Sequence, residues 1–146
     1  MSDPSGRSTR PTSSTATGPG RVLVAVYAIF ALAATARAGV QLARDWHVAP
    51  LAYGLSALAA VVYVVATVAL ARGWHRLATV AVSIELVGVL VVGGFSLADS
   101  AAFPRATVWS AFGQGYGFVP LVLPVLGLLW LRRTKPPRTP APDGAS

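Results

Sequence analysis

Two ionisable residues interrupt the apolar stretches of this 146-residue chain, Arg37 and Glu85. A charged side chain at the centre of a lipid-facing helix costs about 2.5–3.5 kcal/mol on insertion scales, so such residues usually face a protein interior or a transport pathway. At about 1.5 Å per helical residue, their backbones are expected to differ in depth by roughly 9 Å. A direct ion pair is therefore expected only if both side chains extend towards each other.

Further polar residues are predicted at similar depths. Arg37, Gln41 and Arg44 recur at spacings of four and three, which places them on one stripe of a helix. Tyr63 is predicted at the depth of Glu85, so the polar layer would occupy the outer half of a helix bundle and narrow towards Glu85. The alternative is that these residues only hold packed helices together. The candidate intramembrane site comprises Arg37, Gln41, Tyr63, Glu85 and Gln114.

These residues lie in a chain that is 54% apolar and 12% charged, with a mean hydropathy of +0.60. Soluble domains carry roughly a quarter charged residues, so the composition argues against a water-soluble globule. Four apolar segments are each long enough to cross the ~30 Å hydrocarbon core of a bilayer. They span about 22–43, 51–71, 77–97 and 106–131.

The predicted fold class is all-α, a polytopic membrane protein with four transmembrane helices in an antiparallel bundle and disordered tails. The connections between the segments are short, which favours antiparallel neighbours. Residues 1–20 are rich in Ser, Thr, Gly and Pro and are predicted to form a disordered tail. Residues 21–131 form the predicted transmembrane domain, and residues 132–146 a basic, Pro-rich tail.

The net charge of +7 is distributed asymmetrically. If both termini are cytoplasmic, nine basic residues lie on the cytoplasmic side and two, Arg44 and Arg105, on the outer side. The positive-inside rule therefore predicts a multi-pass protein of the plasma membrane with cytoplasmic N- and C-termini. The basic tail is expected to attract anionic lipid headgroups. The basic clusters lack the repeated aromatic residues that would stack on bases, so nucleic acid is not an expected partner.

The amino-terminal segment also has a second interpretation. Ala34-Thr35-Ala36 follows an apolar run and resembles a signal-peptide cleavage site. Because the apolar run continues beyond this site towards Gln41, an uncleaved first helix is the favoured reading.

The fourth segment contains an unusual density of helix-weakening residues. Three glycines, Gly113, Gly115 and Gly117, are followed by Pro120 and Pro124. Glycine costs about 1 kcal/mol and proline about 3 kcal/mol relative to alanine inside a helix, so a kink is expected near the middle. We predict a kinked packing helix, with Gly113 and Gly117 as a small-xxx-small contact. The alternative is a broken helix that lines a cavity.

Recognisable enzyme chemistry is absent from the sequence. The chain has no cysteine, and it contains no HExxH, GxSxG or phosphate-loop motif. Its two histidines, His47 and His75, are predicted on opposite membrane faces and so cannot share a metal. We therefore expect no catalytic residues, no metal and no cofactor.

The stretch from Trp109 through the glycine-rich run to Trp130-Leu131-Arg132-Arg133 resembles the uncharacterised small four-helix membrane proteins of high-GC Gram-positive bacteria. The length and the intramembrane glutamate are also similar to those of the small multidrug resistance transporters. That family, however, carries its essential glutamate in the first helix, where this chain has Arg37. The expected function is a non-enzymatic subunit or accessory factor of an envelope complex, acting as a homo- or hetero-oligomer. The alternative is a small oligomeric transporter or channel that uses Glu85 and Arg37.

Overall fold

The computed structural model describes residues 18–136, so most of the two predicted tails lies outside the described residues. The described part is all-α, which confirms the predicted fold class at this level. Its helices are α1 (Pro19–Asp45), α2 (Pro50–Ala71), α3 (His75–Ala98) and α4 (Val119–Arg133), with a 3₁₀ segment at Ser110–Tyr116 before α4. The helices α1, α2 and α3 are each long and apolar enough to cross a membrane, and the 3₁₀ segment with α4 makes a fourth, bent candidate.

Helices that follow one another in the chain pack against one another. The α1–α2 and α2–α3 connections, residues 46–49 and 72–74, are so short that each pair forms an antiparallel hairpin. Helix α3 also packs on α4 and on the 3₁₀ segment, while a sparser α1–α4 contact closes the ring. Helices α1 and α3 therefore lie diagonally across the bundle, and only long side chains can join them.

The faces that meet inside the bundle are built from small residues. On α1 they recur every three or four positions, which is the spacing of one helix face. On the third apolar segment, the spacing of Ala78, Ala81 and Glu85 predicts one helix face of mainly small residues, and this face of α3 is buried. Small side chains let helix backbones approach closely, and this packing stabilises helices in lipid, where no hydrophobic effect drives helices together. The alanines buried on α1 and α2 are Ala31, Ala34, Ala38, Ala52, Ala59, Ala60, Ala66 and Ala69.

The fourth segment differs from the prediction. The continuous helix expected over about 106–131 is wrong in its outer half, because only Val119–Arg133 is α-helical. The 3₁₀ segment before it is bent by 100° relative to α4. At ~1.5 Å per residue, the 15-residue α4 extends only about 22 Å, less than the ~30 Å hydrocarbon thickness. The segment is thus broken rather than merely kinked.

The break coincides with left-handed backbone. Ala111, Phe112 and Gly113 have φ values of 48°, 58° and 78°, and Phe118 has a φ of 60°. Left-handed conformations cost L-residues roughly 1–2 kcal/mol each, so surrounding contacts must hold this segment. A Cβ on Gly113 would lie 2.6 Å from Cγ of Pro120, so glycine is needed there for space as well as for conformation. Gly113 therefore shapes a turn instead of forming the helix-packing contact that we predicted.

Candidate functional site

Glu85 lies at the centre of the bundle with no exposed surface. Its Oε2 accepts a hydrogen bond of 2.7 Å from the hydroxyl of Tyr27, whose side chain is also fully buried. This bond joins α3 to α1 across the bundle diagonal, where the backbones do not touch. Tyr27 is not among the predicted site residues, although it shares a helix face with the small residues Ala31, Ala34 and Ala38.

Tyr27 also contacts the two remaining helices. Its ring lies 6.2 Å, centroid to centroid, from the ring of Tyr63 on α2. On α4, a Cβ added to Gly127 would lie 3.3 Å from the Tyr27 hydroxyl. All four helices therefore meet around one tyrosine–carboxyl pair, and the absence of a side chain at Gly127 leaves room for it.

The second carboxyl oxygen of Glu85 faces a different environment. Among residues 18–136, Glu85 Oε1, Tyr63 Oη and Trp109 Nε1 are buried without a hydrogen-bond partner. The three groups are neighbours, since Tyr63 lies beside both Glu85 and Trp109. Two of them carry an N–H or O–H donor, and the carboxyl oxygen is an acceptor. We call Glu85, Tyr27, Tyr63 and Trp109 the central cluster.

Trp109 lies deeper than its sequence position predicted. A tryptophan near the outer end of the fourth apolar segment is predicted to lie at the membrane interface, but the Trp109 side chain is only 1% exposed. A Cβ on Gly88 would lie 2.7 Å from its Cζ3 atom, so the indole packs directly on the α3 backbone at that glycine. A turn closed by Thr107 and Ser110, whose Oγ accepts a 2.8 Å bond from the Thr107 N–H, precedes the 3₁₀ segment and positions the indole.

Arg37 does not pair with Glu85 within the described residues. Its Nη1 donates a 2.8 Å hydrogen bond to the hydroxyl of Tyr116, and its Nη2 donates to the carbonyl oxygen of Ala106. Both acceptors belong to the broken segment and the loop before it. The arginine therefore ties the left-handed backbone to α1, and the broken conformation is what brings Tyr116 within its reach.

An aromatic layer separates Arg37 from Glu85. The ring of Phe30 lies 5.7 Å from that of Tyr63 and 6.0 Å from that of Tyr116, measured between centroids. The single polar layer predicted from the sequence is thus divided into a central cluster around Glu85 and an outer group around Arg37.

The predicted site residues fall into these two groups, with one exception. Glu85 and Tyr63 lie together in the central cluster, and Gln41 lines an outer pocket with Arg37. Gln114 is exposed and belongs to neither group, because the segment that was expected to point it inward is not a continuous helix. Tyr116 was missed for the same reason: helical spacing gives no information about a left-handed turn.

The arrangement can hold helices together and can hold a proton or polar ligand at a buried carboxyl group. Within residues 18–136, no group of three or more His, Asp or Glu side chains is placed to bind a metal ion. Comparison with known proteins adds no assignment: no family model matches the chain, and no significant match exists to a curated protein or a solved structure.

Proposed function

We propose that this chain is a non-enzymatic integral membrane protein that acts as a subunit or accessory factor of a larger membrane assembly. The proposal rests on one observation: the buried polar side chains of this chain join its helices to each other. Tyr27 joins α1 to α3, and Arg37 joins α1 to the broken segment. Similarly, His75 Nε2 lies 2.6 Å from the Leu131 carbonyl oxygen, which joins α3 to α4.

Much of the bundle on the side of Glu85 where α3 begins consists of buried apolar side chains, which supports packing over passage through a single copy. Its buried residues include Ala66, Ala69, Leu70, Ala78, Ala81, Val82 and Leu131, and a cavity of about 240 Å³ lies at its end. A solute that reached Glu85 from the outer side would meet this apolar layer next. Transport by one bundle alone would require these side chains to separate.

The cleft between α1 and α4 is the surface best suited to a partner. The cleft lies where two neighbouring helices make the sparsest contact in the bundle. It has a volume of about 660 Å³ and is lined mainly by valine and leucine side chains. We propose that it receives an apolar transmembrane helix of a second membrane protein. Such a helix would extend the ring of packed helices where α1 and α4 make the sparsest contact.

Site-directed crosslinking tests this proposal cleanly, because the chain contains no cysteine. Val22→Cys and Leu126→Cys place single thiols on the two walls of the cleft, where both side chains are exposed. Val61→Cys and Val87→Cys are matched controls, since these valines are exposed on α2 and α3. A thiol-linked photocrosslinker would be activated in membranes of the source organism, and adducts identified by mass spectrometry.

The expected result is one identified membrane protein, captured at fixed stoichiometry from both cleft positions and from neither control. Reciprocal crosslinking from a thiol on that partner should return the same pair. Adducts to a second copy of this chain would instead indicate a homo-oligomer. Lipid adducts alone, or equal capture from all four positions, would refute the proposed docking surface.

Transport by an oligomer is the second candidate function. It is favoured by the partnerless atoms of the central cluster, since Glu85 Oε1 and the hydroxyl of Tyr63 have unused capacity to bind a proton or a polar solute. In proteoliposomes, this function predicts an ion or proton flux that Glu85→Gln abolishes while the protein remains folded. Flux that is equal in both proteins, or no flux above protein-free liposomes, would exclude it.

The proposed location is the plasma membrane, with both termini in the cytoplasm. Its support is the charge asymmetry of the sequence, and labelling with a membrane-impermeant maleimide tests it. His47→Cys should be labelled in intact spheroplasts, whereas Thr134→Cys should be labelled only after lysis; both parent residues are exposed. The reverse labelling pattern would show that both termini lie on the outer side of the membrane.

A further inference from the structure

An open pocket of about 490 Å³ lies where α1 ends and α2 begins, against the loop that precedes the 3₁₀ segment. Three guanidinium groups line it, those of Arg37, Arg44 and Arg105. Its volume falls within the usual range of small-molecule sites, about 300–1,000 Å³. Gln41, Tyr53, Val40, Pro104 and Ala106 complete the lining.

The described lining of the pocket concentrates positive charge. Among the residues whose side chains the structure describes, no aspartate or glutamate lines it. Three like charges around one concave surface repel each other. Guanidinium groups are also the side chains best matched to phosphate oxygens, which they bind through paired N–H donors. The lining therefore favours an anion.

Arg37 is held in place before any ligand binds. Its bonds to Tyr116 and Ala106 fix the guanidinium, so little conformational entropy remains to be lost. Two polar atoms of the lining residues, Arg37 Nε and Gln41 Oε1, are buried without a partner among the described residues. By contrast, Arg44 and Arg105 are exposed and can adjust around a bound group.

The same pocket gathers the two outer basic residues that run against the predicted charge asymmetry. Arg44 and Arg105 belong to different connections, 61 positions apart in the chain, yet the fold brings both to one cavity. The positive-inside rule gives no reason for basic residues on the predicted outer side of the membrane. A ligand of opposite charge gives both arginines a role.

We propose that this pocket binds a phosphate group, supplied either by a phospholipid headgroup or by a soluble phosphate compound. Arg37 forms its fixed base, and Arg44 and Arg105 close over the phosphate oxygens. The non-bridging oxygens of a phosphate, whether in a free phosphate or in the phosphodiester of a phospholipid, can accept paired N–H donors from more than one guanidinium group. The site is independent of the proposed partner at the α1–α4 cleft.

Two binding measurements on the full chain in dodecyl maltoside distinguish the sources of phosphate. Equilibrium dialysis with radiolabelled inorganic phosphate tests the soluble source. Native mass spectrometry after addition of phosphatidylglycerol, with phosphatidylcholine as the zwitterionic control, tests the lipid source. Arg44→Gln and Arg105→Gln should each weaken binding of the active probe by about tenfold, the loss expected for one charge-assisted contact.

Arg76→Gln is the matched control, because it removes one exposed positive charge from the opposite end of the bundle. It should bind the probe as the unmodified protein does, and size-exclusion profiles should show that all variants are folded. Retention of phosphatidylglycerol over phosphatidylcholine assigns a lipid site, and saturable phosphate binding assigns a soluble ligand. Failure of both probes to bind, or an equal loss in Arg76→Gln, overturns the proposal.

Discussion

The two polar regions of this bundle, the central cluster around Glu85 and the outer pocket around Arg37, are built in opposite ways. Glu85 is fully buried on a continuous helix, and a tyrosine from the diagonal helix holds it. Arg37 is held by a loop carbonyl and by a tyrosine on a broken segment that contains left-handed residues, and its pocket is open. The first region joins the helices to each other, whereas the second presents three arginines to its surroundings.

This difference shows that the two intramembrane charges need no contact with each other. Each charge has complementary hydrogen-bond partners nearby. A hydroxyl group donates to the carboxyl group, and oxygen atoms accept from the guanidinium. The ring of Phe30 lies between Tyr63 of one region and Tyr116 of the other. If the comparison is correct, substitutions in the central cluster should change stability, and substitutions in the pocket should change binding.

Removal of the central carboxyl group should have the largest effect on stability. Glu85→Ala leaves the hydroxyl of Tyr27 without its acceptor and opens a cavity, so we expect a loss of about 2–4 kcal/mol in the free energy of unfolding. Glu85→Gln keeps the shape and an acceptor oxygen, and should lose about 1 kcal/mol or less. Reversible unfolding by SDS in dodecyl maltoside micelles measures both. Equal stability of Glu85→Ala and the unmodified protein would contradict a structural role for the central cluster.

The contact between α3 and the broken segment is the next strongest test. A Cβ on Gly93 would lie 2.5 Å from Cδ1 of Phe112 and 2.8 Å from its backbone nitrogen, so Gly93→Ala must displace the segment. We expect a destabilisation of about 2 kcal/mol, typical of overpacking.

The adjacent glycine provides the control for this contact. Gly94 has no heavy atom within 4 Å of the corresponding position, so Gly94→Ala should be neutral or stabilising, since alanine favours helix by about 1 kcal/mol. Thermal unfolding followed by circular dichroism compares the two variants. Equal behaviour would mean that the segment does not pack on α3 as described.

The extent to which sequence could predict this structure differs between the same two regions. Helical spacing and hydropathy were sufficient to place α1, α2 and α3, and to predict that Glu85 points inward beside Tyr63. The outer half of the fourth segment was not predictable in this way. Its conformation depends on left-handed residues such as Ala111 and Phe112, which carry no sequence signature, and on tertiary contacts such as the 2.8 Å bond from the Ala111 N–H to Ser96 Oγ.

The wrong prediction of a continuous fourth helix also gives wrong positions for two of its residues. A regular helix over this segment would point Gln114 inward and place Trp109 at the interface, whereas the structure exposes Gln114 and buries Trp109. Tyr27 is a different case, because its position on the small-residue face of α1 was available in the sequence. The criterion of intramembrane charge overlooked it, since a tyrosine carries none. A search for any polar atom on a buried small-residue face would have found it.

Deletion of a single hydroxyl tests the diagonal bond with a smaller expected effect. Tyr27→Phe removes the donor to Glu85 Oε2, and interhelical hydrogen bonds in membranes average about 0.6 kcal/mol with a maximum near 1.7. We expect a loss of about 1 kcal/mol. Tyr53→Phe is the control from the outer pocket, because the Tyr53 hydroxyl makes no hydrogen bond to the described residues. In SDS titrations, a larger loss from Tyr53→Phe would reverse the assigned roles of the two regions.

The smallest effect on stability is expected in the pocket itself. Arg105 is exposed, and its side chain makes no hydrogen bond to the side chains and backbone atoms that the structure describes, so Arg105→Gln should change the free energy of unfolding by less than about 0.5 kcal/mol. Any change at low salt should be stabilising, because one of three mutually repelling charges is removed, and added salt should diminish it by screening. Thermal midpoints at two ionic strengths in phosphate-free buffer measure this. A destabilisation of more than about 1 kcal/mol would exceed the range for surface substitutions and identify Arg105 as a structural tether like Tyr27, so the contrast between the two regions would no longer hold.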